Sequence, residues 1–420
     1  MYASLFGIST ADTVVVGTDG WLYYAGTLGD YQDTKPLREA QARNIAYNIR
    51  LIQDICEERG AKFAFAIAPN KNSLYGSNMP YYLPKVDSKN MLLLNDALDH
   101  FEVNSVNLYD VIEGVDGRLY YLRDSHWTEK GALLGHDAIA DAAGFSKLGL
   151  DPESMLLRDD YTGDLATMLF PESPDPEDFW YFDGINDGSG KTGTLRSGSL
   201  WRFSEGESVE DSSIMTEPSG NVDSEHGILI DEIAEVAKGN GKLLMFRDSF
   251  GNSLIPYLAC EFSSATFSKM LPMNLLLLDD EDPNVVLIER AQRHVSYFAE
   301  EAPLIVSPIL KDGPTVEDVS ENLETSFDVS TNGPLGMIKG FVNGDLYSSE
   351  DDEVYLRLID EEGLSDTYVA FALSDDDSKN DNGFCVNVDL DLWSNQDITC
   401  EVLLQSGEST KLVSSFQFSF

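Results

Sequence analysis

The sequence predicts an α/β protein, a parallel sheet flanked by helices, followed by an antiparallel β-sandwich domain. Three observations carry that expectation. Short apolar runs alternate with helix-periodic stretches up to about residue 300, the pattern of strands joined by helical crossovers. From Ser326 onward the chain changes to short alternating runs divided by turn signals. At 420 residues it also exceeds the usual size of a single core. Two domains are therefore expected, 1–310 and 311–420.

Val14–Val16 and Trp21–Tyr24 read as a hairpin around Asp19-Gly20. Leu37–Arg59 is a long helix with Ile45, Ile49, Ile52 and Ile55 on one face. Phe63–Ala68 reads as a buried strand, Lys89–His100 as a helix and Ser105–Asp110 as a strand. Thr128 is placed to cap a helix running to Ala143. Roughly 150–225 is rich in Asp, Glu, Gly, Ser and Pro, with strand-like pieces at Phe179–Phe182 and Thr192–Phe203. It reads as an irregular insertion over one face of the first domain, and loop material of that length is often functional. Asp231–Lys238 reads as a helix, Lys242–Phe246 as a buried strand, Phe250–Ala259 as a helix and Val285–Ile288 as a strand. The sandwich strands are Met337–Val342, Val354–Ile359, Tyr368–Leu373, Phe384–Leu390, Ile398–Leu404 and Leu412–Phe418, with turns such as Asn343-Gly344 between them.

Composition excludes some partners. Hydrophobic residues make up 42%, enough for a substantial core, and 73 acidic against 28 basic residues give a formal net charge of −45. Such a surface repels polyanions, so neither nucleic acid nor an anionic membrane face is expected as a direct partner. No stretch reaches the roughly 18 apolar residues of a membrane span. Met1–Thr10 lacks the basic and apolar regions of a signal peptide, which reads as a cytoplasmic protein or a truncated ectodomain. Of the four cysteines, Cys385 and Cys400 fall on neighbouring expected strands and are candidates to pair. Cys56 and Cys260 read as buried helix thiols. No metal-ligand spacing and no nucleotide-binding glycine motif is present, so no cofactor is expected.

Two distant segments carry the chemistry. Arg247-Asp248-Ser249-Phe250-Gly251 follows the strand Lys242–Phe246, and Asp124-Ser125-His126-Trp127 precedes the Thr128 cap. Together they supply a serine, a histidine and a carboxylate, the set needed for activated-serine acyl transfer. A serine at a strand-to-helix turn sits at the carboxyl end of a parallel strand, where open α/β sheets place ligands. The amides of Ser249, Phe250 and Gly251 would then be helix-start donors suited to an oxyanion. Asp124 and His126 project to one side in extended backbone; that spacing does not by itself bring the carboxylate to the ring, but a turn before the helix can arrange it. The plainer alternative makes Asp248 an N-cap and His126 a satisfied loop histidine.

The segments Asp-Ser-His-Trp-Thr-x-x-Gly-Ala (124–132) and Arg-Asp-Ser-Phe-Gly-Asn-Ser (247–253) resemble the two signatures of the alginate O-acetyltransferase group, the AlgX/AlgJ-like proteins and their DHHW relatives. Gly17-x-Asp-Gly-Trp-Leu-Tyr-Tyr, Pro69-Asn-Lys-Asn with Leu83-Pro84, and Val285–Arg290 resemble further parts of that group, over about 12–300. The resemblance implies an SGNH-hydrolase-like fold, with Ser249 as nucleophile, His126 as general base and acid, and Asp124 as its orienter. It also implies a site outside the cytoplasmic membrane, in the cell envelope or extracellular. A polysaccharide is the implied acceptor, and a membrane-bound O-acyltransferase partner the implied source of acyl groups. Ser125 stands where a DHHW motif has its other histidine, and Arg247 stands where many SGNH enzymes have glycine. Gly251, Asn252, Asn70, Asn72, Arg247 and Trp127 are the weaker candidates for oxyanion or substrate contacts. Trp127 has core packing as its alternative and Arg247 a structural ion pair. Tyr23, Tyr24, Trp180, Tyr181 and Trp201 are a candidate sugar platform or a buried cluster. Trp393 is the one candidate sugar-stacking residue of the sandwich, whose alternative role is packing or spacing. His294 reads as a surface residue, and His100, His136 and His226 show no partner pattern.

Three functions compete on this reading: an O-acetyltransferase acting on a polysaccharide, a carbohydrate esterase using the same triad with water as acceptor, and a non-catalytic glycan-binding scaffold.

Overall fold

The computed structural model describes residues 11–172, 174–182, 200–204, 207–210, 236–311, 313–316, 318–319, 324–342 and 349–420. The expectations placed on Met1–Thr10, on residues 192–199 and 231–235, on His226 and on the Asn343-Gly344 turn lie outside the described residues.

A seven-stranded sheet organises the first part, in the order Ser105–Asn107, Lys62–Ala68, Val285–Ala291, Lys242–Phe246, Ser264–Ser268, Leu200–Ser204, Glu207–Glu210. The first five strands are parallel, so their carboxyl ends share one edge. The two faces are built by alternation. Ala64, Ala66, Leu243, Met245, Val285 and Leu287 face the helix Glu129–Ala143 and the short helix Ile255–Glu261. Phe63, Phe65, Ile67, Leu244, Phe246, Val286 and Ile288 face Glu39–Glu58 and Asn90–His100. Strands buried on both faces read as continuous apolar runs, which is why these were legible as strands but not by period. Ile45, Ile49, Ile52 and Ile55 all point into the second layer, as their spacing predicts.

Several elements differ from expectation. The 150–225 region is not only a covering insertion: Leu200–Ser204 pairs antiparallel with Ser264–Ser268 and extends the central sheet. Ser264–Ser268 itself, a short run flanked by serines, gave no strand signal. Before it, Leu156–Tyr161 and Glu177–Tyr181 form a separate hairpin. Phe250–Ala259 is two pieces, a 3-10 turn Phe250–Ser253 and the helix Ile255–Glu261, because Pro256 has no amide to continue a single helix through its position. Ser105 starts a strand that ends at Asn107, whose side chain accepts the Tyr109 amide and caps Leu108–Ile112.

The C-terminal region is two antiparallel-dominated sheets facing each other. Ile309–Leu310, Ser365–Val369, Glu353–Ile359, Ile398–Ser406, Ser409–Phe418 and Asp318–Val319 form one, with the last two strands parallel. Thr325–Asn332, Leu335–Val342, Asn380–Asp389 and Phe371–Asp375 form the other. The single run expected at Tyr368–Leu373 crosses between them at Ala370. Cys385 and Cys400 do not pair. Cys400 points into the sandwich core with Ile398 and Val402, while Cys385 points out of it with Phe371 and Leu373, and all four cysteines are free and buried. Trp393 is also a core residue, buried with its indole N–H donating to Tyr368 Oη at 2.8 Å, so it presents no stacking face.

The sandwich docks tightly on the first domain. Phe371, Leu373 and Cys385 belong to the same apolar cluster as Ile45, Ile49 and Phe298. Asn48 donates to Ala372 O (2.7 Å) and Phe298 O (2.6 Å) and accepts the Ala372 amide, and Arg38 grips Asp381 through two donors. Deleting residues 311–420 would expose that apolar face and strand the buried Asn48 amide, at about 2 kcal/mol for each large side chain uncovered. The shortened chain is therefore expected to be insoluble on expression, and recovery of folded, soluble protein would refute the shared core.

Beneath the sheet's other face, His136 is fully buried, its Nε2 2.7 Å from Glu261 Oε2 and its Nδ1 3.1 Å from Asp137 Oδ1. Burial alone would lower its pKa, but the two carboxylates outweigh it and raise it to about 9. A folded pKa above the unfolded value gives stability that is complete below about pH 6.5 and is lost as pH rises through 9. The linkage amounts to roughly 3 kcal/mol. Denaturant unfolding of the protein between pH 6.5 and 9 is expected to show that decline, and His136→Gln to flatten it.

Candidate active site

The strand Lys242–Phe246 is buried beyond Lys242 and leads directly into Arg247-Asp248-Ser249. Asp248 sets the turn. Its Oδ1 accepts the Phe250 amide at 2.9 Å, and its Oδ2 accepts the Ala291 amide at 2.9 Å and lies 2.8 Å from His294 Nδ1. Burial pushes this carboxyl up, but those three hydrogen bonds, His294 first, hold it far below the usual carboxylate range. Asp248 is thus the cap that the plainer alternative described, and it leaves Ser249 half-buried in helical conformation with its side chain turned to the sheet edge. His294, read from the sequence as a surface residue, is half-exposed but bonded to this cap, three residues beyond the adjacent strand.

Ser249 Oγ lies 2.8 Å from His126 Nε2, across 123 residues of sequence. His126 Nδ1 is 2.7 Å from Asp124 Oδ1, which also accepts the His126 amide at 2.9 Å. The turn at Asp124–His126 is held from both sides. Tyr121 N–H donates to His126 O, and Tyr120 bridges Trp127. Thr128 caps the next helix by accepting the Gly131 amide. Asp124 is fully buried, and its Oδ2 accepts Tyr161 Oη at 2.8 Å and the Asp164 amide at 2.9 Å. A carboxylate held in this way fixes the orientation of its histidine ring.

The weaker candidates are distributed differently. Trp127 is fully buried with its indole donating to Phe250 O at 3.2 Å, so it packs beneath the site and lines no groove. Arg247 is fully buried as well. It donates to Asn252 Oδ1 at 2.6 Å and to Asp248 O at 3.1 Å, and burial lowers its pKa to about 10. It braces the serine turn from behind, facing Glu289. Gly251 is required there: a Cβ would lie 2.7 Å from Arg247 Cβ. Asn70 and Asn72 are closed off from solvent, the first donating to Asp30 (2.8 Å) and the second to Thr27 (2.9 Å), so both are structural pins. The Phe250 amide is taken by Asp248, which leaves the amides of Ser249 and Gly251 as the oxyanion candidates of that turn. Tyr23 is buried, while Tyr24, Trp180 and Tyr181 are half-buried; the Trp201 side chain lies outside the described residues.

Sequence reasoning missed three contributors. Lys71 is fully buried, with Nζ donating to Leu22 O (2.6 Å), Leu122 O (2.8 Å) and Asp124 O (2.9 Å). Burial draws its pKa down to about 7, opposed by Asp124, and the three carbonyls favour its charged form. Arg293 lies over the Phe250 ring, 5.4 Å from its centroid, at the mouth of the serine turn. Asp164 approaches the histidine from the opposite side to Ser249. The signal for it was Gly163, where a Cβ would sit 2.4 Å from Arg123 O, marking a close backbone approach.

Fold and site define a parallel α/β protein with a Ser–His–Asp hydrogen-bonded set at the carboxyl edge of its sheet. Residues 14–173 match the family described as the SGNH hydrolase-like domain of acetyltransferase AlgX, a stretch that includes Asp124 and His126 and ends before Ser249. The chain is similar to the probable alginate O-acetylase AlgJ of Pseudomonas putida, 26% identical over 170 residues, covering 37% of this chain and 42% of that protein. The AlgJ of Pseudomonas syringae pv. tomato is 28% identical over 170 residues, 37% of this chain and 41% of its own. The match thus spans about two fifths of these relatives' length. Among solved structures, Bacillus cereus PatB1 aligns with 68% of this chain and 98% of its own, at TM-score 0.47 and 16% identity. The O-acetyltransferase domain of Pseudomonas putida AlgJ aligns with 67% and 92%, at TM-score 0.40 and 18% identity.

Replacing Lys71 with Met removes the donor shared by three carbonyls around Asp124. The expected cost is about 3 kcal/mol of unfolding free energy, read by urea denaturation; an unchanged midpoint would mean that the loop is held without it.

Proposed function

We propose that this protein is a serine-dependent O-acetyltransferase acting on a cell-surface or secreted polysaccharide. The observation that carries the reading is the continuous hydrogen-bonded line from Asp124 through His126 to Ser249, 2.7 and 2.8 Å at its two links. Ser249 Oγ attacks the carbonyl carbon of the donor ester, and its proton passes to His126 Nε2 while the charge gained by the ring faces Asp124. The tetrahedral oxygen is held by the Ser249 and Gly251 amides. His126 returns the proton to the departing donor alcohol or thiol, leaving acetyl on Ser249. A sugar hydroxyl then gives its proton to His126, attacks the acyl-enzyme and leaves as the acetylated glycan, restoring the serine hydroxyl.

The relatives named as probable alginate O-acetylases support a glycan acceptor, and we place the activity in the cell envelope or outside the cell. Among the described residues no helix is long and apolar enough to cross a membrane, and a membrane-bound O-acyltransferase is the proposed source of acyl groups. With a surface of net charge −45, a neutral or weakly charged glycan is favoured over a polyanion. The sandwich, buried around Trp393, serves as a docked support for the first domain.

The test is intact-mass spectrometry after incubation with p-nitrophenyl acetate. The protein is expected to gain one acetyl group, and Ser249→Ala and His126→Ala to gain none while melting as the parent does. Oligosaccharides added to the acetylated protein separate transfer from hydrolysis by the mass of the product. Labelling that persists in Ser249→Ala would remove the assignment.

A further inference from the structure

Behind His126 stand two carboxylates, not one. Asp164, 40 residues from Asp124 in sequence, opens the short helix Asp164–Leu169. Its Oδ1 accepts the Ser125 amide at 2.8 Å, and its Oδ2 accepts the Ser125 hydroxyl at 2.6 Å. That Oδ2 is 3.8 Å from His126 Nδ1, while Ser125 Oγ is 3.3 Å from the same nitrogen. The ring nitrogen therefore faces a fork of Asp124 Oδ1, Ser125 Oγ and Asp164 Oδ2. The Asp164 amide in turn donates to Asp124 Oδ2, so the two acids are locked in one geometry. Gly163 makes this possible, since any side chain there would strike the Arg123 carbonyl and the Asp124 amide.

Resting on the acyl-transfer reading, we infer that Asp164 is a positioning residue for His126: through Ser125 it is a second negative charge that sets the pH at which the base works. Burial, then the neighbouring Asp124 charge, raises the Asp164 carboxyl above its ordinary range, with His126 and Ser125 opposing. The other charged groups around this ring are Lys71 on the Asp124 carbonyl, with Glu177 and Arg118 beyond Lys71. Arg293 lies across Phe250, which packs against the ring edge-on with centroids 4.8 Å apart. Asp248, with His294, lies behind the serine turn. None of these but Asp124 and Asp164 comes within ion-pair distance of His126 among the described residues.

A carboxylate near 4 Å stabilises the imidazolium, so its removal lowers the pKa of the ring. The test is a titration of the His126 ring by NMR on the whole protein with labelled histidine, its signal identified by loss in His126→Ala. Asp164→Asn is expected to move the His126 midpoint down by about half to one pH unit. The acid limb of ester turnover should move with it, with KM unchanged and with Asp164→Glu restoring most of the shift. An unmoved midpoint in a variant that melts like the parent overturns the inference. If Asp164→Asn does not fold, Ser125→Ala carries the test, with a smaller downward shift expected and no shift overturning it. Because the titration needs no turnover, it stands apart from the acyl-transfer reading, which fails instead if the parent and Ser249→Ala turn over ester equally.

Discussion

The carboxylate of Asp248 is the constraint on which the site depends. It is buried between two strand ends, and a buried charge persists only where donors surround it. The amides of Phe250 and Ala291 and the ring of His294 supply them. By bonding across to the end of Val285–Ala291, Asp248 fixes how the chain leaves Lys242–Phe246. That exit angle presents Ser249 to His126 and not to the apolar layer below. Arg247 and Gly251 follow from the same constraint: the guanidinium lies under the turn, and only a residue without Cβ passes over it.

Around this centre the protein carries charge in an unusual place. Its surface is overwhelmingly acidic, yet Lys71, Arg247 and Arg290 are buried at the carboxyl ends of the central strands. Each meets carbonyls or carboxylates there: Lys71 three carbonyls, Arg290 the Arg247 carbonyl at 3.0 Å, Arg247 the Asn252 amide oxygen. Glu289, fully buried, is pushed well above the ordinary carboxyl range by burial and by Asp248. The layer is only partly satisfied: Arg247 Nε and Nη2, Arg290 Nε and Nη2 and Glu289 Oε1 are buried without a hydrogen-bond partner among the described residues, a costly arrangement beside the serine turn.

The helix Glu39–Glu58 connects that layer to the sandwich. One side fills the space under the parallel sheet, and Asn44 and Asn48 on the other hold the edge backbone of Phe371–Asp375. From Ile309 onward the described strands belong to sheets other than the parallel one. That change of sheet does not separate two cores, because Phe371, Leu373 and Cys385 bury their side chains among the isoleucines of that helix.

The sequence alone determined the element types, for reasons that are local. A run of isoleucines every three or four residues makes one helix face, alternating apolar residues make the sandwich strands, and Thr128 announces a helix start. It also supplied the serine, histidine and aspartate, because a strand-to-helix turn and a pre-helix loop carry distinctive residues. Only the tertiary structure decided what those groups touch. The Ser249–His126 contact spans 123 residues, and Asp248–His294 spans 46. Asp164 reaches Ser125 across 39, through a loop whose one local mark is Gly163. The short strand Ser264–Ser268 owes its state to neighbours on both edges and not to its own residues. Trp127, Trp393 and Cys385 show the same limit: which side of a strand or turn faces solvent depends on the layer packed against it, and the sequence does not state which layer arrives there.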